Sequence, residues 1–190
     1  VLSQPSLSIR ITCISLIWCI LWGLSACGTP LEIDQDSVSF GGSTPEIVVE
    51  RFFEDLNLAF QDPDIVNPDT RRIWSERLSR HFAPNERLAQ RTVLGQGLRT
   101  FASGLLQLAD DQQLITEITY DTLERVAVTS TSATVRVVNG KIRMQRLRIV
   151  DQRNHETLFT QERPLSVVIG QDSEMLPVVQ VNGYWFMTER

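Results

Sequence analysis

Cysteine is missing from almost the whole chain: Cys13, Cys19 and Cys27 all fall within the first 27 of 190 residues. A disulfide framework or a paired-cysteine metal site is thereby excluded for everything that follows. Histidine is nearly as scarce. His81 and His155 are far apart, each flanked by loop or turn signals, and both are expected at the solvated surface. No HExxH, G-x-S-x-G, Walker or G-x-G-x-x-G pattern occurs, which removes sequence support for metal-assisted hydrolysis, a nucleophile elbow or a phosphate-cradling loop. No cofactor is expected. Positive charge is not in excess either: 18 Lys+Arg against 23 Asp+Glu give a formal charge of −5. Nucleic acid, which needs a basic field to displace counterions, is not an expected partner.

What is present suits one globular domain, with 42% hydrophobic and 22% charged residues. The longest apolar run, ITCISLIWCILWGL at residues 11–24, follows a lone cation, Arg10, and precedes Ser25-Ala26-Cys27. At about 1.5 Å per helical residue it reaches roughly 21 Å, short of the roughly 30 Å hydrocarbon core of a bilayer. It reads as an apolar signal helix rather than a membrane span. Leu24-Ser25-Ala26-Cys27 resembles the lipobox of bacterial lipoproteins. The resemblance implies cleavage before Cys27 and lipidation of its thiol, with small residues at Ser25 and Ala26 admitting the peptidase. Residues 1–26 are then the signal peptide, and the membrane is a partner through lipid on Cys27. An uncleaved N-terminal anchor is the alternative, and both readings place the domain outside the cytoplasm, in the cell envelope.

Residues 27–43, rich in Gly, Ser and Asp, read as a flexible tether. A single α+β domain is expected over residues 44–190. Ser43-Thr44-Pro45-Glu46 is a helix start. Val48, Phe52, Leu56, Ala59 and Phe60 follow on one face, widened by Ile47, Val49 and Phe53, while Glu46, Glu50, Glu54, Asp55 and Gln61 fall elsewhere. Asn67-Pro68-Asp69 opens a second helix through Ile73, Trp74 and Leu78, closed by Pro84. The spacing of Leu94, Leu98, Phe101, Leu105 and Leu108 predicts a third over residues 85–109. From residue 114 the pattern turns to β-branched runs near 114–128, 133–150, 156–169 and 176–189. Turn cues separate or interrupt them at Ser130-Thr131-Ser132, Asn139-Gly140, Gln152-Arg153-Asn154, Gly170-Gln171-Asp172 and Asn182-Gly183, the Asn-Gly pairs being the strongest hairpin signals. Helices followed by antiparallel strands make the fold class α+β.

The opening TPEIVVERFFEDLNLAF and closing VVQVNGYWFMTER, joined by two further helices and long strands, resemble the nuclear transport factor 2-like (cystatin-like) superfamily. The resemblance covers residues 44–190. It implies a cone in which three N-terminal helices pack on a curved antiparallel sheet and the open end forms a pocket. Candidates for that lining are Phe52, Phe53, Leu56, Phe60, Phe101, Leu105, Tyr120 and Trp185, with core packing a competing role for each. Catalytic members place an acid and a Tyr in such a pocket. Tyr120, Asp121 and Tyr184 are of the right types, but no spacing motif assigns them those roles, and no catalysis is expected.

Charge is unevenly spread: residues 32–70 carry net −9, residues 71–153 net +6 and residues 154–190 net −3. Arg136, Lys141, Arg143, Arg146 and Arg148 form a candidate stripe for an anion or a lipid headgroup. On a strand Lys141 and Arg143 share one face, Arg146 and Arg148 the other. A solvated sheet face, paired with Glu117, Asp121, Glu124 and Glu162, is the alternative. Asp62, Asp64, Asn67 and Asp69 offer oxygens at close spacing, but the segment lacks the Gly and the bidentate Glu of a calcium loop and reads as a loop with a helix cap. The reading that results is a lipid-anchored binding or interaction module for a small apolar ligand or an envelope protein. A pocket isomerase or dehydratase and a structural envelope spacer are the alternatives.

Overall fold

A computed structural model of the chain describes residues 40–151, 154–166 and 174–189. The lipobox, the signal segment and residues 27–39 lie outside the described residues, as do the turn cues at 152–153 and 170–172.

Helix α1, Pro45–Gln61, starts as its sequence dictates. Thr44 is extended, its Oγ1 accepts the Ile47 N–H at 3.4 Å, and Pro45 occupies the first turn, where its missing donor costs nothing. Val48, Val49, Phe52, Phe53 and Ala59 are buried on one broad face. Asp55 is buried with them, contrary to its expected place on the polar flank. Helix α2, Pro68–Ser79, is capped by Asn67, whose Oδ1 accepts the Asp69 N–H at 2.9 Å. It turns Leu78 inwards and leaves Ile73 exposed, so Ile73 belongs to the outer face rather than to the core. Helix α3, Arg87–Leu105, stops four residues short of the expected end, and Leu108 sits in the turn that follows.

Among the described residues seven strands follow: β1 (Gln112–Thr119), β2 (Thr122–Val128), β3 (Ser132–Val138), β4 (Lys141–Ile149), β5 (His155–Pro164), β6 (Met175–Val181) and β7 (Tyr184–Met187). They divide between two antiparallel sheets, ordered β1-β4-β5 and β2-β3-β6-β7, where one curved sheet was expected. The division comes from two facing corners. The run 114–128 breaks at Tyr120-Asp121 and the run 133–150 at Asn139-Gly140, with Thr119 opposite Lys141 on one side and Thr122 opposite Val138 on the other. The Asp121 N–H donates to the Val138 carbonyl at 3.0 Å, so pairing survives the bend. Asn139-Gly140 is therefore a corner and not a hairpin turn. Asn139 takes positive φ, 53°, and a Cβ on Gly140 would come within 2.9 Å of Val137 Cγ1 and 3.2 Å of Leu165 Cβ. Only glycine lets β5 end that close to the corner. The hairpin between β2 and β3 turns at residues 129–132, where the Thr129 N–H donates to the Ser132 carbonyl at 2.7 Å. Asn182 and Gly183, at φ 52° and 85°, make the two-residue turn between β6 and β7.

The buried cluster joins α1 to both sheets through Val48, Phe52, Phe53, Ile118, Val135, Val137, Ile142 and Trp185. Asn57 fastens α1 to the side of β1: its Oδ1 accepts the Ile118 N–H at 2.7 Å and its Nδ2 donates to the Ile118 carbonyl at 3.0 Å. On β7 the alternation of faces sends Trp185 and Met187 one way and Phe186 the other, yet all three are buried, with the Arg87 guanidinium 5.6 Å over the Phe186 ring. The outer edge of β7 is covered as well. Trp185 exchanges two main-chain bonds with Gly42, at 2.9 and 2.8 Å, and Met187 exchanges two with His81 and Ala83, both at 2.9 Å. Gly41 and Gly42 are buried and Phe40 is half-buried, so the end of the stretch read from sequence as tether belongs to the packed domain. No described helix is long and apolar enough to cross a membrane.

Candidate functional site

Two places concentrate polar groups. The first is Asp55, inward-facing in the middle of α1, where it meets the end of α2. Its Oδ1 accepts from Arg77 Nη2 at 2.7 Å, and its Oδ2 from Arg77 Nε at 2.9 Å and from His81 Nε2 at 2.8 Å. Burial pushes the carboxyl up, but the bonds from His81 and Arg77 outweigh it and hold it down at about 2. His81 is 2% exposed, not at the surface as its loop context suggested, and its Nδ1 is buried with no hydrogen-bond partner among the described residues. Phe40 and Phe52 stand edge-on to its ring at 5.5 and 6.0 Å. An Asp–His pair serves catalysis when the imidazole's second nitrogen reaches a nucleophile or substrate. Here two aromatic rings stand edge-on to the imidazole, and the trio ties α1 to the end of α2. Nothing in the sequence marks it, because the two residues are 26 apart and belong to no spacing motif.

The second is a cleft of about 540 Å³ between the end of α1, the end of α3 and β1. Phe60, Leu105, Leu108 and Leu114 supply its apolar wall, and Asp62 and Asp110 its polar margin. Asp62 is engaged: Oδ2 accepts from Trp74 Nε1 at 2.6 Å and Oδ1 from the Asp64 N–H at 2.8 Å. Thr116 also lines the cleft, and its Oγ1 is buried without a hydrogen-bond partner among the described residues. Buried hydroxyls are normally paired, so this orphan beside the cleft is an exception to the rule.

Of the eight residues read as pocket lining, Phe60 and Leu105 face this cleft. Phe101 backs it by packing on Phe60, ring centroids 4.8 Å apart. Phe52, Phe53 and Trp185 are core, Leu56 packs against that core, and Tyr120 leans on Phe53 at 5.6 Å. Burial, then the charges of Glu50 and Glu54, raise the Tyr120 hydroxyl above its usual range. Asp121 lies exposed at the corner and accepts from Asn139 Nδ2 at 2.6 Å, while Tyr184 opens β7 opposite Val181. None of Tyr120, Asp121 and Tyr184 lines the cleft. Cys27 and Leu24, Ser25 and Ala26 lie outside the described residues.

The stripe divides by face as its spacing predicts. Lys141 and Arg143 share Glu162, at 3.7 and 3.9 Å, on the face opposite that of Leu114 and Thr116. Arg148 meets Asp111 at 3.4 Å and Glu156 at 3.3 Å, and Arg136 pairs with Glu124. Arg146 alone of the five has no acidic partner among the described residues, and it lies directly opposite Leu114 of the cleft wall. Comparison with family models, with curated proteins and with solved structures returns no match to this chain.

Proposed function

We propose that this chain is an extracytoplasmic lipoprotein, anchored through lipid on Cys27, whose α+β domain binds a small apolar ligand in the cleft beside β1. The cleft carries the reading. Its volume of about 540 Å³ falls within the range of about 300–1,000 Å³ common to small-molecule sites. Its make-up is of the same kind, an apolar wall with a polar margin that could orient a guest. Its position between the ends of the first and third helices and the sheet agrees with the open end of a nuclear transport factor 2-like cone. The anchor rests on Leu24-Ser25-Ala26-Cys27 directly after an apolar run. A diacylglyceryl thioether with a further acyl chain gives the two or more chains that stable membrane attachment requires.

Two measurements test the two halves. Intact-mass spectrometry of the protein from native membranes should show a chain starting at Cys27 with added lipid mass. Cys27→Ala should abolish both processing and the added mass, and an unprocessed, unlipidated wild-type chain would refute the anchor. Native mass spectrometry of the same preparation should show a co-purified small apolar molecule that is lost when Leu114→Arg fills the cleft with charge. A guest retained in that variant would refute the cleft.

A further inference from the structure

The cleft takes five consecutive residues of β1, from Gln112 to Thr116, into its lining. Successive side chains of a strand leave on opposite faces, so a cavity that touches all five runs along the edge of the strand. One edge of β1 is paired with β4, and the cleft follows the other. Three contacts show which main-chain groups lie there. Asn57 bonds both the N–H and the carbonyl of Ile118, which therefore point away from β4. The Asp111 carbonyl accepts the Ile149 N–H and so points towards β4, whereas the Gln112 N–H turns out of the sheet to the Ala109 carbonyl. Direction alternates residue by residue in an antiparallel pair, so Gln112, Leu114, Thr116 and Ile118 all turn their peptide groups to the free edge. Ile118 is satisfied by the Asn57 carboxamide, which stands in for the peptide group of a neighbouring strand, and Thr116 is buried. Half-buried Leu114 keeps both its N–H and its carbonyl, and Gln112 its carbonyl, without a partner among the described residues.

An open strand edge is a template for one more strand, and charge narrows what that strand carries. Asp62 and Asp110 line the cleft, and no cation does. Asp62 is bonded by neutral donors, Trp74 Nε1 and the Asp64 N–H, and Asp110 has no partner among the described residues. Arg148, beside Gln112 in the register, is matched by Asp111 and Glu156, and Arg146 is not part of the lining. We infer that the cleft binds an extended peptide segment of a partner protein, added antiparallel to the free edge of β1, with an apolar residue opposite Leu114 and a Lys or Arg two positions further on. The residue opposite Leu114 exchanges two main-chain bonds with it. Its side chain falls on the core-facing side of the strand, where Phe60 and Leu105 pack. The residue two further along donates its N–H to the Gln112 carbonyl. The Gln112–Ala109 bond folds the loop of Asp110 against that end of the strand, so a cation there meets its carboxylate.

This rests on the cleft being a ligand site, as proposed above, its apolar guest then being a peptide side chain, and the test separates the two. The purified full-length protein is titrated, by fluorescence polarisation, with a labelled Thr-Leu-Thr-Lys-Thr peptide blocked at both ends. Two further peptides carry N-methyl leucine in place of leucine or glutamate in place of lysine. The parent peptide should bind and should slow amide exchange over residues 112–116, read by mass spectrometry. N-methylation removes the donor to the Leu114 carbonyl and should weaken binding about fivefold, the factor of one hydrogen bond. Glutamate should weaken it by a similar factor of about five, an attraction at a partly exposed site being exchanged for a repulsion. Asp110→Asn should erase the difference between the lysine and glutamate peptides and leave the N-methyl effect intact. Equal binding of the N-methyl peptide would overturn the strand pairing, and equal binding of the glutamate peptide to the wild type would overturn the basic residue. No binding of the parent peptide, while a small apolar molecule co-purifies and is lost in Leu114→Arg, would overturn the peptide and leave the ligand site standing. Absence of both would overturn both.

Discussion

Asp55 and Thr116 are opposite cases of a buried polar side chain. Asp55 is fully bonded, and its carboxyl, held down at about 2 against an ordinary 3.8, makes a contribution to stability that depends on pH in a defined direction. A depressed carboxyl stabilises the fold above its unfolded value, so the contribution is complete above about pH 4 and is lost as pH falls towards 2. It amounts to about 2 kcal/mol. Asp55→Asn should lower the urea midpoint at neutral pH, and the gap to wild type should narrow by about that amount between pH 4 and pH 2. A gap independent of pH would show that the carboxylate charge contributes nothing. The Thr116 hydroxyl has no partner among the described residues, so Thr116→Val removes a hydroxyl whose burial costs about 1 kcal/mol or more. We expect the variant to unfold at higher urea than wild type. A destabilised variant would mean that the hydroxyl has a structural partner.

At the scale of elements, legibility followed the range of the interaction. Helix starts were plain because Thr44-Pro45 and Asn67-Pro68 act within one turn, through a cap and a fixed φ. The strand runs were also plain, but their division was not. Asn139-Gly140 has the composition of a hairpin turn, and what makes it a corner is long-range: β3 pairs with β2 and β6, and β4 pairs with β1 and β5. No local signal carries that. Asp55 and His81 were misread for a related reason, since a polar residue on a helix flank looks solvated until its partner is known. The cleft was legible in outline, from the first and third helices and the sheet, but only Phe60 and Leu105 among its proposed residues were found. Thr116 was missed because a threonine on a strand is unremarkable in sequence. The corner itself can be tested. Gly140→Ala would press a methyl group against Val137 and Leu165, and overpacking of this kind costs about 1–3 kcal/mol. Thermal unfolding should register that loss, and an unchanged midpoint would mean that the two sheets can move apart there freely.

For the molecule as a whole, the strap at residues 40–43 joins what precedes the domain to its last strand. A Cβ on Gly42 would lie 2.6 Å from the Thr44 carbonyl oxygen and 2.7 Å from the Val48 nitrogen. Gly42→Ala should therefore unseat the strap while the core holds. Trp185, which the strap covers, would then shift its fluorescence to longer wavelength, and Trp185→Phe in the same background would remove that shift. An unshifted spectrum would place the strap elsewhere.

Under the lipid anchor proposed at Cys27, the strap has a mechanical consequence. Tension drawn through the tether meets the two Gly42–Trp185 bonds and the seat of Phe40 on His81 before it reaches the Thr44 cap. Those contacts peel first, releasing four residues, or about 14 Å of extended chain, before the first turn of α1 is pulled. The clasp would act as a short shock absorber between a moving bilayer and a domain that stays folded.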